Sequence, residues 1–398
     1  MRDVFVAGVG VHPFGKFFDR SLKDLGRTAI MAAVADSGLE LKDIQVAYCG
    51  NAVGGLILGQ ESVRGQTVFL NAGISQIPVT NVENACASGA TAFREAWLSV
   101  ASGLYDVAIA LGVEKLFCND TPKTMAAIAT AADTEIVSDT GWSFPTWYAL
   151  NARMYMEKYD VTQTQFAKVV VKNTKNGALN PHAQFHTPRT VEEVLNSREI
   201  SYPLTLYMCS AIGDGAGAAV LCSKKYAEKH APKPRVRVAA SALVSAGFRN
   251  DPKPPTVDGS AGQRAAQAAY AQAGIGPKDL DVIELHDAFA PAELQGYEEL
   301  GLCADGEGKI LIDEGRTEIS GDIPVNPSGG LASKGHPVGA TGLAQIAELV
   351  WHLRGEAGQR QVPGKNPRRG PIWGLAHNGG GTMEGDAASM AVHILKRE

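Results

Sequence analysis

The 398-residue sequence has no apolar run approaching the ~20 residues of a membrane-crossing helix, so no membrane association is expected. Its start, Met1-Arg-Asp-Val-Phe-Val-Ala-Gly, reads as a strand entering a glycine turn. It lacks the apolar stretch and small-residue cleavage site of a secretory signal. The six cysteines (49, 86, 118, 209, 222 and 303) form no Cys-x-x-Cys pair, which excludes a disulfide framework and zinc-type spacing. Reduced thiols, a cytoplasmic location and no metal ligands are the expectation. A concentrated basic stripe is also missing. With 20% charged residues and a net charge of -5, a general nucleic-acid binder is excluded. The only dense basic stretch, Lys365 to Arg369, reads as a solvated loop, with a phosphorylated ligand as the minority reading.

What the sequence does have is internal repetition, expected in a chain too long for one core. Val4-Phe-Val-Ala matches Val236-Arg-Val-Ala at an offset of 232. Gly38-Leu-Glu-Leu-Lys-Asp-Ile-Gln-Val matches Gly274-Ile-Gly-Pro-Lys-Asp-Leu-Asp-Val at an offset of 236. Cys86-Ala-Ser-Gly-Ala-Thr matches His336-Pro-Val-Gly-Ala-Thr at an offset of 250. Each half reads strand, helix, strand, helix, strand. The short, continuously apolar runs 106–112 and 371–376 suit strands covered on both faces. The pattern predicts layered α/β architecture in two halves, 1–230 and 231–398, joined near the Pro- and Lys-rich stretch 225–235. Residues about 115–205 have no counterpart in the second half and are read as an insertion over the sheet edge, with helices at 142–159 and 163–175.

Cys86 precedes an apolar helical segment. Helix-start N–H groups favour a thiolate, and the small neighbours leave room at sulfur. Alone, the residue fits a buried core cysteine better. The matched His336, in a loop with five glycines from 329 to 342, shifts the balance to a nucleophile and its base. His286 follows a buried strand and suits a hydrogen bond to an oxyanion. Asp287 beside it suits either that site or the cap of the following helix. His377 and the glycines Gly379, Gly380 and Gly381 follow the last core strand. That turn suits an oxyanion hole, although a glycine triplet by itself is more often a plain loop.

Asn-Ala-Cys86-Ala-Ser-Gly, His286-Asp-Ala-Phe, Gly-His336-Pro-Val-Gly-Ala-Thr-Gly and His377-Asn-Gly-Gly-Gly together resemble the thiolase superfamily, in order and over essentially the whole chain. The His-Asp-x-Phe form, Asn180-Pro-His-Ala-Gln and Ile212-Gly-Asp-Gly-Ala-Gly resemble its sterol-carrier-protein-type branch. The resemblance implies a five-layered αβαβα fold of two pseudo-twofold-related halves. It also implies a CoA-dependent acyltransferase that cleaves a β-oxoacyl-CoA through an acyl-cysteine on Cys86. His336, His286 and His377 would be catalytic, Gly379 to Gly381 would line an oxyanion hole, and Ser210 would contact pantetheine. Coenzyme A would be a substrate, with no tightly bound cofactor. The implied assembly is a homodimer or dimer of dimers, with a small zinc-ribbon/OB-fold protein as a candidate partner.

The sequence departs from the family in one respect. Both usual positions of a second catalytic cysteine are filled otherwise, by His377 and by Ala288. A branched or aromatic substrate such as a benzoylsuccinyl-CoA-like compound is the leading expectation. A Cys-His-His condensing enzyme, a thiolase-fold aldolase and a non-catalytic CoA- or lipid-binding subunit are the alternatives. The aromatics Trp142, Phe144, Trp147 and Tyr148 suit either the insertion's core or an acyl pocket.

Overall fold

Val4–Gly15 (β1), Val46–Gly50 (β2), Val79–Val82 (β3), Val107–Lys115 (β4) and Asp214–Ser223 (β7) carry the first half's apolar runs. Val236–Ser245 (β8), Val282–Glu284 (β9), Trp373–Met383 (β10) and Asp386–Arg397 (β11) carry the second's. Glu199–Ser201 (β5) and Leu204–Thr205 (β6) form a separate small hairpin. This computed structural model describes residues 1–138, 140–230, 235–247 and 258–398. The expected joint at 225–235 therefore lies partly outside the described residues.

The duplication is written in the strand order, β3-β2-β4-β7-β1-β8-β11-β10-β9. In the first half β2 is parallel to β4, while β4–β7 and β7–β1 are antiparallel. The second half repeats this: β9 is parallel to β10, while β10–β11 and β11–β8 are antiparallel. Among the described residues the halves meet at β1 and β8 through two register pairs, Phe5 with Arg237 and Val6 with Val236.

The outer helices match as well. Leu22–Ser37 starts at the N-cap Ser21 and stops at Gly38, and Ala261–Ala273 starts at Ser260 and stops at Gly274. Both glycines have φ 70°, the left-handed cap that a side chain would strain. These helices cover the outer faces, against β1 and β7 in one half and β8 and β11 in the other. Ser88–Ala101 and Thr341–Arg354 form the layer between the halves. Every residue of Thr341–Arg354 except Trp351 is buried, because sheet or helix covers it on all sides.

The central helices correct the register of the repeat. Their first residues, Ser88 and Thr341, lie 253 positions apart, as do the short 3₁₀ turns before them, Ala85–Ala87 and Val338–Ala340. The sequence offset of 250 is thus about one helical turn out of structural register. Cys86 lies inside its turn, whereas His336 lies ahead of its own.

The insertion contains the expected helices, Phe144–Tyr159 and Gln163–Ala178. Their buried faces (Ala152, Tyr155, Phe166, Val169) pack with Leu285, Leu294, Tyr297 and Leu311 of the second half. A chain-sequential reading had placed the insertion only over a sheet edge.

Candidate active site

Ala85 takes a left-handed conformation, φ 49°, at the sharp turn out of β3. That turn lifts Cys86 toward a cavity of about 780 Å³. Ser210, His286, His336, His377 and Gly379 to Gly381 line the same cavity, so all eight residues singled out in the sequence meet there. The Cys86 sulfur and one donor nitrogen each of His286 and His336 lie within 4.8 Å of one another. The two imidazoles meet edge to face, with centroids 5.1 Å apart. These donor atoms are close enough to grip one soft cation, but the hydrogen bonds behind the rings fit separate acid–base roles.

Behind His336, its Nδ1 lies 2.8 Å from the Thr341 hydroxyl, which donates to the Pro337 carbonyl at 3.2 Å. The hydroxyl proton being used, Nδ1–H is the donor, and Nε2 keeps its lone pair. Behind His286, the Asn378 amide nitrogen donates to Nδ1 at 3.0 Å. With the amide in that orientation, Nε2–H is the proton His286 presents. One ring is therefore set to accept and the other to donate. Neither Thr341 nor Asn378 stood out as a partner in the sequence, although both sit inside quoted motifs.

Burial opposes the thiolate that helix-start geometry favours. Burial, helped by the Glu114 carboxylate, pushes the Cys86 thiol up to about 12. The Gly381 N–H and the Cys86 N–H pull the other way but do not win. Desolvation dominates because the sulfur sits in an apolar wall. Burial and the Lys334 charge hold His336 down at about 3. His286 is pushed well below its usual range by burial and the two neighbouring imidazoles. The resting pair is a neutral thiol beside a neutral imidazole.

Gly379 to Gly381 do not form a loop after the last strand. They belong to β10, and Gly379 and Gly380 pair with Met390 and Ser389 of β11, which is itself the last strand. Gly380 lets this strand pass the Cys86 turn, since a Cβ there would lie 2.1 Å from the Asn84 carbonyl oxygen. Gly381, at φ 63°, aims its N–H at sulfur. Asp287 does not cap the following helix, whose N-cap is Phe289. It accepts instead from the Leu331 N–H and the Asn173 amide, tying the His286 strand end to the loop that carries His336.

One residue had no sequence signal. Glu114 is buried in β4 and accepts from the N–H groups of Ala52 (2.9 Å) and Gly339 (3.1 Å) and from the Asn51 amide (2.9 Å). It joins the His336 side of the site to the Cys86 side, and burial pushes it up to about 7. Among the four insertion aromatics, Phe144, Trp147 and Tyr148 line the cavity, and Tyr148 stacks on Phe289 at 4.3 Å. Trp142 packs on Phe144 and does not line it.

Residues 4–195 match the family described as "Thiolase, N-terminal domain", and residues 251–397 match "Thiolase C-terminal domain-like". The chain belongs to the thiolase family. It is 43% identical to an acetyl-CoA acetyltransferase of Methanothermobacter thermautotrophicus, with all of both chains covered. It is 39% identical to the benzoylsuccinyl-CoA thiolase subunit BbsB of Thauera aromatica, over 96% of this chain and 95% of the other. It is 39% identical to bovine sterol carrier protein 2, over 91% of this chain and 68% of the other. Among solved structures it resembles the Ltp2–ChsH2(DUF35) aldolase, at TM-score 0.81 and 28% identity over 99% and 98% of the chains. Human mitochondrial 3-ketoacyl-CoA thiolase in complex with CoA shares the fold, at TM-score 0.74 and 20% identity over 100% and 98%. The thiolase is accordingly an acyltransferase, a class that uses coenzyme A as a substrate rather than as a tightly held cofactor. No helix among the described residues is long and apolar enough to cross a membrane.

Proposed function

We propose that this thiolase cleaves or forms a β-oxoacyl-CoA whose acyl part is branched or aromatic, through an acyl group carried on Cys86. The observation that carries the reading is the cavity of about 780 Å³, which runs from Cys86 past Phe144, Trp147, Tyr148 and Phe289. An acetyl group alone would leave most of it unfilled, whereas a ring or branched chain buries apolar area against these side chains. A benzoylsuccinyl-CoA-like compound is the specific substrate proposed.

In this reading the thioester or ketone carbon is held beside Cys86. His336 Nε2 takes the thiol proton as sulfur attacks, so a free thiolate never has to form in the apolar wall. The developing oxyanion meets N–H groups from the Cys86 turn and from Gly379 to Gly381. His286 Nε2–H is aimed to hold the enolate oxygen of the second acyl-CoA, and His377 serves as a further donor in the same wall. Ser210 borders the pantetheine path. The halves are assigned as 1–230 and 231–398. The proposed assembly is cytoplasmic, a homodimer or dimer of dimers. The exposed edge strand β3 supports self-pairing. A small zinc-ribbon/OB-fold partner is proposed on the strength of the Ltp2–ChsH2(DUF35) assembly.

Incubation with acetyl-CoA, benzoyl-CoA and branched acyl-CoAs, followed by intact mass and peptide mapping, tests the reading. An acyl adduct on Cys86 is expected, formed faster with the bulky groups. Absence of any adduct would sink the covalent mechanism. A Cys-His-His condensing enzyme has the same triad, and turnover of a malonyl thioester in preference to thiolysis would select it.

A further inference from the structure

For proton exchange at the substrate α-carbon, the two family positions of a second cysteine hold Ala288 and His377, and Cys209, which also lines the cavity, directs its thiol to the Thr205 carbonyl. His377 is poorly made for that task. Its Nδ1 accepts the His286 backbone N–H at 3.4 Å, which leaves the proton on Nε2. A neutral imidazole that offers only an N–H cannot take a proton from carbon, and losing that proton would leave an imidazolate. The Nε2–H is itself buried without a hydrogen-bond partner. A carboxylate oxygen, Glu299 Oε2, stands 3.5 Å from it.

Glu299 ends the helix Ala290–Glu299 and lines the cavity that holds Cys86. Its side chain keeps 20% exposure. Close approach depends on Gly262, where a Cβ would lie 2.2 Å from Oε2. The Tyr148 hydroxyl is pushed up by burial and also by the charges of Cys86 and Glu299, which puts both within electrostatic reach of one ring. Three other carboxylates near the site are already engaged. Glu114 and Asp287 accept backbone and amide N–H groups, and Glu298 accepts from the Tyr155 hydroxyl and the Gly308 N–H.

We infer that Glu299, which stands beside the His377 N–H, is the acid–base group for the substrate α-carbon, the task a second cysteine performs elsewhere in the family. The inference rests on the thiolase reading. In the C–C bond-forming direction a Glu299 oxygen takes the α-proton of the second acyl-CoA. The C–H electron pair forms the new bond to the acyl carbon on Cys86, and the S–C bond breaks. The proton collected by Glu299 is the one Cys86 regains, so the cycle closes without an added reactant. Thiolysis is the reverse, with Glu299 protonating the departing enolate.

The test separates the two half-reactions in full-length protein. Wild type, Glu299→Gln and Glu299→Asp are incubated with acetyl-, propionyl- and succinyl-CoA. One measurement is acyl-Cys86 formation by mass, and the other is deuterium incorporation at the α-carbon from D₂O. Glu299→Gln is expected to acylate within about twofold of wild type while α-exchange falls at least about 100-fold. Glu299→Asp, which keeps the carboxylate, should recover part of the exchange. Unchanged exchange in Glu299→Gln overturns the inference, and so does a parallel loss of acylation and exchange in both variants. A wild type that forms no acyl-Cys86 overturns the thiolase mechanism itself.

Discussion

Gly89 and Gly342 are the second residues of the two central helices, and each lets its own helix touch the first turn of the other. A Cβ on Gly342 would lie 2.5 Å from the Ala90 nitrogen, and one on Gly89 would lie 2.6 Å from the Gly339 carbonyl oxygen. The site depends on this approach, because Cys86 and His336 sit just before those turns. Gly342→Ala should therefore cost about 1–3 kcal/mol of stability through overpacking, with acylation of Cys86 falling more than tenfold as the helices part. Urea melts and acylation rates check this. A variant with wild-type values for both would mean that the contact is slack.

Alkylation of Cys86 should report a neutral thiol. With sulfur at about 12 and His336 at about 3, neither group changes charge between pH 6 and pH 9. The iodoacetamide rate should then climb close to tenfold per pH unit over that range, without a plateau. A plateau beginning near pH 6 would reveal a thiolate–imidazolium pair instead.

Thr341→Val removes the acceptor that fixes the His336 tautomer. The ring would then be free to put its proton on Nε2, where it cannot receive the thiol proton. A fall of about 10- to 100-fold in acyl-Cys86 formation is expected, with melting nearly unchanged. Thr341→Ser, which keeps the hydroxyl, should restore most of the rate.

Acid stability follows from the buried imidazoles. His336 and His393 each titrate at about 3 in the fold and near 6.5 when unfolded. Between those values the unfolded chain binds more protons, so each imidazole costs stability as the pH falls, by about 1.4 kcal/mol per pH unit at most. Glu114 and Glu298, both at about 7, act oppositely between pH 7 and the ordinary carboxylate range near 4.5, where the folded chain binds more protons. Urea unfolding should thus show a shallow change from pH 7 to 4.5 and a steep loss below it. Stability that still rises below pH 4.5 would contradict this balance.

Tyr148→Ala should discriminate between substrates. It removes the ring stacked on Phe289, so kcat/KM for an aromatic β-oxoacyl-CoA should drop about 10- to 200-fold, and that for acetoacetyl-CoA only severalfold. Equal losses would assign the ring to packing of the insertion.

The sequence carried the duplication, the fold and all eight cavity residues because those features are local. A repeated segment, a glycine loop and a histidine after a strand are each about ten residues long or shorter. Its register failed by one turn because Gly-Ala-Thr recurs in both copies, while the two helices themselves start at Ser88 and Thr341, 253 positions apart. Helix-start geometry, which favours a thiolate, is readable from sequence, whereas the desolvation that pushes the thiol up is not. Glu114 and Glu299 were silent for a third reason. Their partners lie between 61 and 225 positions away, and Glu299 sits in a helix with nothing unusual in its neighbourhood.

Among the described residues the two halves pair along the sheet at two positions, yet the proposed nucleophile comes from one half and its proposed base from the other. During synthesis Cys86 leaves the ribosome some 250 residues before His336 and nearly 300 before Gly381. In the proposed mechanism a nascent chain carries the thiol without the base and the N–H groups that would direct it. Acyl loading of Cys86 at the enzyme's own rate would then report that both halves have been assembled and docked.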